Sequence, residues 1–247
     1  MVEKRVSVAV TTYQGEQFLR EQLKSILQQL TKEDEVVISD DGSTDGTIAL
    51  IQEVQKAYPH ISVRLLEGPR QGIKKNVENV LSQSKGQFIF LADQDDIWMS
   101  HKVEKVLQCF REQKVSLVIH DAVVFSEDIH VPLMESFFSF RQAKAGVVKN
   151  IWKNSYIGCC MAFRRELLKR ALPIPGDIEM HDQWLGVLND IYFKDSYFYR
   201  EPLLFYRRHG ENNSAMSHYG VGRMVRNRLL FLWRLLGRLL HGGKMGN

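Results

Sequence analysis

Through its first half the chain switches repeatedly between two hydrophobic periods, and this restricts the folds open to it. Short β-rich runs at residues 6–10, 35–39, 61–66, 87–92 and 115–125 alternate with segments whose apolar residues recur at helical spacing. Phe18, Leu19, Leu23, Ile26, Leu27 and Leu30 mark a helix over 16–30, and residues 47–57 form another that stops before Pro59. Val77, Val80 and Leu81 share one face of a helix over 73–84, and Val103, Val106, Leu107 and Phe110 mark the next. This strand–helix order predicts an α/β fold with a Rossmann-like, mostly parallel central sheet and helices on both faces. Residues 126–155 read as a loop-rich insertion. Strands are expected at 156–163, 197–199 and 203–206, a short helix at 165–172 ended by Pro173, and a helix at 182–192.

Ligands of such sheets bind beyond the carboxyl ends of the strands. Three polar clusters fall there: Thr11-Thr12-Tyr13-Gln14-Gly15, Asp40-Asp41-Gly42-Ser43 and Asp93-Gln94-Asp95-Asp96. Three carboxylates within four residues of a buried strand repel one another unless something positive sits among them. A divalent ion carrying a diphosphate meets that need, and oxygen ligands suit magnesium or manganese. Acidic capping of a helix led by Ile97-Trp98-Met99-Ser100 explains one aspartate but not three. At the second cluster the glycines permit a tight turn, and Asp40 and Asp41 at the strand tip could accept from a base imide or a ribose hydroxyl. An Asx-turn with a helix N-cap competes there. A dinucleotide-binding reading is weak, since no G-x-G-x-x-G occurs.

The 247 residues suffice for a sizeable core. Cys109, Cys159 and Cys160 form neither a disulfide framework nor a metal-ligand spacing, and they fit a reducing cytosol. Residues 1–5 run straight into a strand pattern, which reads as the absence of a signal peptide, and no apolar stretch is long enough to span a bilayer. The net charge is +4, yet from Arg223 onward there are six basic residues and no acid, so the remainder carries −2.

The ordered motifs Thr11–Gly15, Ser39–Asp45 and Leu91–Trp98 resemble family 2 glycosyltransferases of the GT-A fold, over roughly residues 5 to 210. The Asp-Gln-Asp-Asp-Ile-Trp form followed by Lys102 is most similar to bacterial rhamnosyltransferases of surface-polysaccharide assembly. The resemblance implies an inverting transfer from a nucleotide-diphosphate sugar, with dTDP-rhamnose the preferred donor and a UDP-hexose or UDP-N-acetylhexosamine the runner-up. It implies that Thr11 and Tyr13 line the base pocket, that Asp40 accepts from the pyrimidine imide with Asp41 beside it, and that Asp93 meets the ribose. Asp95 would ligate Mn2+ or Mg2+, and Asp96 would hold the donor sugar or orient the metal shell. In Glu179-Met180-His181-Asp182-Gln183-Trp184, Asp182 would be the base, with His181 where an acid often stands; a helix N-cap competes for Asp182. Tyr206–Ser214 resembles an Arg-x-His-x-x-Asn stretch that closes over the diphosphate. There Arg207 or Arg208 would neutralise phosphate and His209 would complete the metal shell.

The expected layout is a glycosyltransferase domain over 1–215 (nucleotide-binding half 1–98, acceptor-binding half 99–215) and a basic amphipathic helix over 216–247. In that tail Arg223, Arg226, Arg234, Arg238 and His241 oppose Val225, Leu229, Leu232, Trp233, Leu236 and Leu240. Such a helix reads as an interfacial anchor whose arginines favour an anionic cytoplasmic leaflet. A dimerisation helix or one packed on the core is the competing reading. No reading motif accompanies the charge, so nucleic acid is not an expected partner. The expected acceptor is a lipid-linked saccharide on the inner face of the cell membrane, with a homodimer among the assembly states. A non-catalytic nucleotide-sugar-binding subunit would keep Asp40 and Asp41 but dispense with Asp182.

Overall fold

Strands β1 (Val6–Thr12) and β2 (Glu35–Asp40) are buried along their whole length, as parallel strands covered on both faces must be. They belong to a computed structural model that describes residues 4–210 and 220–241. Glu211 to Ser214 of the fourth motif, the expected boundary at 215/216, and Lys244 lie outside the described residues. Helix α1 (Leu19–Leu27) follows β1, α2 (Thr47–Ala57) follows β2, and β3 (Ser62–Glu67), α3 (Ile73–Gln83) and β4 (Phe88–Ala92) complete the first half. The second half comprises β5 (Ile97–Trp98), α4 (Lys102–Glu112), β6 (Leu117–Phe125), α5 (Phe137–Arg141), α6 (Val147–Trp152), β7 (Met161–Arg164), α7 (Leu168–Ala171), α8 (His181–Tyr192), β8 (Ser196–Arg207) and α9 (Val221–His241).

One eight-stranded sheet runs in the order β3-β2-β1-β4-β7-β6-β8-β5. The first four strands pair in parallel, and the direction of chain progression reverses between β1 and β4. That reversal opens a crevice where α/β sheets bind ligands. In the other half β7 runs antiparallel to both β4 and β6, and β5 runs antiparallel to β8. The sheet is therefore mixed beyond β4. Val8, Val10, Val36, Ile38, Phe90, Leu19, Leu23 and Ile26 centre the core of the first half; Phe110, Ile119, Phe163, Trp184 and Leu188 centre the second.

Four expected elements differ. Ile97-Trp98 does not lead into a helix: it pairs with Phe205 and Leu204 as β5, and α4 begins only at Lys102 after His101 turns left-handed (φ 66°). The acidic run therefore caps no helix. The strand expected over 156–163 is a 3-10 turn at Gly158–Cys160 followed by the short β7. A Cβ on Gly158 would lie 3.0 Å from His181 Nε2, so the chain bends to admit the start of α8. Residues 126–155 contain α5 and α6, each too short to show a period in sequence, and Ser136 caps α5 by accepting from the Ser139 amide. The two strands expected at 197–199 and 203–206 are one, β8, whose pairing with β6 slips around Asp121.

Helix α9 packs on α8 through buried Phe231 and Leu235, with Phe231 edge-on to Trp184. Three of its arginines turn toward the body, while Arg223 and Arg226 are exposed. Arg234 pairs with Asp177 at 2.6 Å, Arg238 donates to the Leu172 carbonyl at 2.6 Å, and Arg228 donates to the Trp152 carbonyl at 2.7 Å. The expectation that Arg234 and Arg238 reach a lipid leaflet is thus corrected: they fasten the helix to the protein.

Candidate active site

Parallel register sets the strand tips side by side, with Thr12 opposite Asp40 and Val10 opposite Ala92. The three polar clusters therefore converge at the β1/β4 crevice. Asp40 is buried, and its carboxylate accepts from Thr12 Oγ1 (2.7 Å), Ser43 Oγ (2.6 Å), and the Ser43 (2.7 Å) and Gly42 (3.1 Å) amides. Gly42 closes this turn at φ +97°, where a side chain is strained. Four internal donors engage the Asp40 carboxylate, so it builds the turn. Asp41 is placed differently: its Oδ2 accepts from the Gly72 amide at 2.8 Å, while its Oδ1 has no hydrogen-bond partner. Thr11 is buried beneath the crevice, and the Tyr13 side chain stands exposed at its rim. The Tyr13 amide donates to Gln94 Oε1 at 2.8 Å, and Gln94 Nε2 donates back to the Tyr13 carbonyl at 2.9 Å.

The acidic run divides by environment. Asp96 is buried; its Oδ1 accepts from the Arg207 amide at 3.0 Å and its Oδ2 has no partner. Burial, with the charges of Asp95 and Asp93 added, pushes its carboxyl well above the usual range. Asp93 is raised as well, first by desolvation and then by Asp95 and Asp182. Asp95 lies nearer the surface and meets His209 Nε2 at 2.7 Å, while His209 rests on Phe18 with ring centroids 4.9 Å apart. The cluster's repulsion is answered partly by the chain itself. Lys102 is fully buried and donates to the Cys159 carbonyl at 3.0 Å, with its Nζ 3.9 Å from the centre of the Trp98 ring. Desolvation lowers its pKa to about 8, against the opposing pull of Cys160, Cys159, Asp96 and Asp93.

Arg207 is buried between the rings of Phe18 (4.9 Å) and Phe125 (4.6 Å), donates to the Asp95 carbonyl at 2.9 Å and pairs with Glu21 at 2.6 Å. These contacts make it a strut tying β8 to the acidic loop. Arg208 alternates to the other side of the strand end and is half-buried, with its guanidinium 6.0 Å from the Tyr206 ring.

Asp182 sits in the first turn of α8, beyond the N-cap position at Met180, where no side chain caps the helix. The N-cap alternative therefore does not hold. Its Oδ1 accepts from the Gln183 amide at 2.5 Å and from Asn154 Nδ2 at 3.3 Å. Burial raises its carboxyl to about 7, against these hydrogen bonds and a backbone bond from Gly158. His181 is held neutral by burial, its pKa lowered to about 4, and it lines a narrow cleft with Thr11 and Asp93. A carboxylate with a pKa near neutrality at the start of α8, near Asp93 at the tip of β4, suits proton removal from a substrate hydroxyl.

Two groups could hold a cation. Asp93, Asp96 and Cys159 bring donor atoms within 4.8 Å of one another, but the Cys159 thiol is pushed upward by its hydrogen bond to Cys160 and by burial, and the Lys102 ammonium adjoins it. A protonated thiol beside a lysine suits a hard divalent ion poorly. Asp95 and His209 offer an oxygen and an imidazole in contact near the surface, and this pair fits Mn2+ or Mg2+ better. Sequence reasoning missed Gln94, Asn154 and the depth of Lys102. Gln94 and Lys102 lie inside or beside the acidic motif, whereas no local pattern marks Asn154.

The family model described as glycosyl transferase family 2 matches residues 7–172. A dTDP-rhamnosyl transferase RfbG of Shigella flexneri is 27% identical over 89% of this chain and 80% of its own length. A putative teichuronic acid biosynthesis glycosyltransferase, TuaG, of Bacillus subtilis is 27% identical over 86% of this chain and 82% of its own. Among solved structures, S. aureus TarS 1-349 in complex with UDP-GlcNAc superposes with a TM-score of 0.71 at 19% identity, over 92% of this chain and 66% of that one. Mannosyltransferase PcManGT of Pyrobaculum calidifontis, in complex with GDP-Man and Mn2+, gives 0.65 at 21% identity over 93% and 64%. The chain thus spans just under two thirds of the length of these two solved chains. At these identities the likeness establishes the GT-A fold.

Proposed function

Because the chain belongs to glycosyl transferase family 2, we propose that it transfers a sugar from a nucleotide-diphosphate donor to an acceptor hydroxyl with inversion. Asp182 carries this reading: a buried carboxyl poised near neutrality, at the mouth of the β1/β4 crevice and within the influence of Asp93. As the acceptor oxygen bonds to the anomeric carbon, Asp182 takes the hydroxyl proton and the bond to the diphosphate breaks. The nucleoside diphosphate leaves with the bonding electron pair. Asp41 accepts from the base imide through its unpartnered Oδ1, Thr11 and Tyr13 line the base pocket, and Asp93 holds the ribose. Asp96, pinned to Arg207, orients the loop that carries Asp95. Asp95 and His209 would hold Mn2+ or Mg2+, which supplies Lewis-acid stabilisation of the leaving diphosphate. Arg208 adds positive charge on the phosphate side.

The likeness to RfbG favours dTDP-rhamnose as donor. The likeness to RfbG and TuaG favours surface-polysaccharide assembly on a lipid-linked saccharide at the inner face of the cell membrane. No helix among the described residues is long and apolar enough to cross a membrane, so contact with it would be peripheral. Asp182→Asn should bind donor with unchanged affinity in a thermal-shift titration and fail to transfer; near-normal turnover would remove the base and, with it, this mechanism.

A further inference from the structure

We propose that the outward face of α9 and the adjoining face of α6 form one lipid-docking surface, with lysines of the α5–α6 region rather than Arg228, Arg234 and Arg238 supplying its charge. With Arg228, Arg234 and Arg238 turned to the body, α9 presents Val221, Val225, Leu229, Trp233, Leu236 and Leu240 to solvent. Trp233 is 70% exposed and Leu240 77%. These positions recur every three or four residues, a stripe about 28 Å long at the rise of an α-helix. Monomeric proteins rarely leave so continuous an apolar strip open.

The strip does not end with α9. Helix α6 packs beside it and exposes Val148 (82%) and Trp152 (70%), and the Arg228 guanidinium bridges the two helices from 4.4 Å off the Trp152 ring. Exposed tryptophans among leucines suit the level of lipid headgroups, where the ring is apolar and the indole N–H is wet. The charge agrees. Residues 136–165 contain no Asp or Glu, and neither does α9. Lys144 and Lys153 are exposed, and both ammoniums act on Lys149, whose Nζ finds no acceptor. An anionic phosphate layer complements that set. A two-fold pairing of two copies on this face would instead bring the same lysines together from both sides.

Position gives the surface its purpose, and here the inference rests on the lipid-linked acceptor proposed above. Asn154, two residues beyond exposed Trp152, donates to Asp182, and Asn227 of α9 donates to Glu179 at 2.7 Å, three residues ahead of Asp182. A membrane seated on α6 and α9 thus lies against the segments that support the base.

The test is flotation of the full chain with phosphatidylcholine vesicles, with and without phosphatidylglycerol, alongside transfer to a soluble acceptor analogue. Wild type should float with the anionic vesicles, and emission from Trp152 and Trp233 should shift to the blue. Trp233→Glu with Leu236→Glu should weaken partition at least tenfold, as expected for two apolar side chains kept in water. Lys144→Ala with Lys153→Ala should weaken it about 25-fold on anionic vesicles, at a factor of about five per cation, and leave any binding to neutral vesicles unchanged. Both variants replace exposed side chains, and matching melting curves keep misfolding out of the comparison. Wild type that stays with the soluble fraction, variants that float unchanged, or a wild-type dimer that Trp233→Glu dissociates would each overturn the surface. A protein that floats as expected but transfers nothing keeps the surface and removes the functional reading.

Discussion

Replacing Asp182 with Asn should abolish transfer yet make the fold more stable in alkali, and the size of that gain follows from burial. The carboxyl is raised from 3.8 in the unfolded chain to about 7 in the fold. A raised carboxyl binds its proton more tightly when folded, so its stabilising contribution is complete below the unfolded value and is lost as pH climbs through the folded one. The full loss is roughly 3 pKa units, or about 4 kcal/mol. By about pH 5 roughly 1.5 kcal/mol of it has gone, and by about pH 8 nearly all. Asparagine does not titrate. Its stability relative to wild type should therefore rise by about 2 to 3 kcal/mol between those two pH values, whatever constant cost comes from changing the bonds to Gln183 and Asn154. Loss of the Asp182 charge also eases ionisation of Asp93, which acts in the same direction. Chemical denaturation of both proteins at the two pH values reads the difference directly. A stability gap that stays constant with pH, or that moves against the variant in alkali, would refute a raised carboxyl and the general-base argument built on it. The wild-type rate should fall below about pH 7 as the base is protonated.

His209→Ala should weaken Mn2+ binding by roughly tenfold or more, measured by calorimetry without donor; unchanged affinity would take the imidazole out of the metal shell. Arg207→Met should cost about 2 kcal/mol in denaturant unfolding, because the Asp95 carbonyl and Glu21 lose their donor and the Phe18 and Phe125 rings lose the cation between them, and should lower the yield of folded protein before it alters donor KM. A variant of unchanged stability with a raised KM would restore Arg207 to the phosphate. Asp41→Asn should raise the donor Kd by about tenfold with little loss of stability, whereas Asp40→Ala should cost about 2 kcal/mol by unpairing the turn, and the reverse pattern would exchange their roles.

Much of the site was legible because periodicity locates strand tips and the polar residues follow them immediately. Thr11, Asp41, Asp93 and Asp95 follow strands that this arithmetic finds, whereas Asp182 opens a helix and is singled out by resemblance alone. What the pattern leaves open is the choice between neighbours. Asp40 and Asp41 are chemically identical, and only the backbone at Gly42 decides which carboxylate faces the turn amides. Arg207 and Arg208 are neighbours at the end of β8, and only the packing of Arg207 between Phe18 and Phe125 tells them apart. For α9 the two faces were readable, but amphipathicity does not say which face the body takes. Asp177 and the carbonyls at Trp152 and Leu172, far away in sequence, make that choice in favour of the arginines. Asn154 carries no periodic signal, since a turn and its long-range bond to Asp182 set its position.

The paired bonds between Gln94 and Tyr13 have a mechanical consequence. A side-chain amide here behaves like a rung of β-ladder, engaging both peptide groups of a residue that has run past the end of its strand. The loop bearing Tyr13 and the loop bearing Asp93, Asp95 and Asp96 are thereby yoked into a single jaw. Gly15 belongs to the same joint, for a Cβ there would come within 2.6 Å of Gln94 Oε1. The spacing between the two loops is thus gauged by one glutamine, and a shift of either loop must carry the other with it.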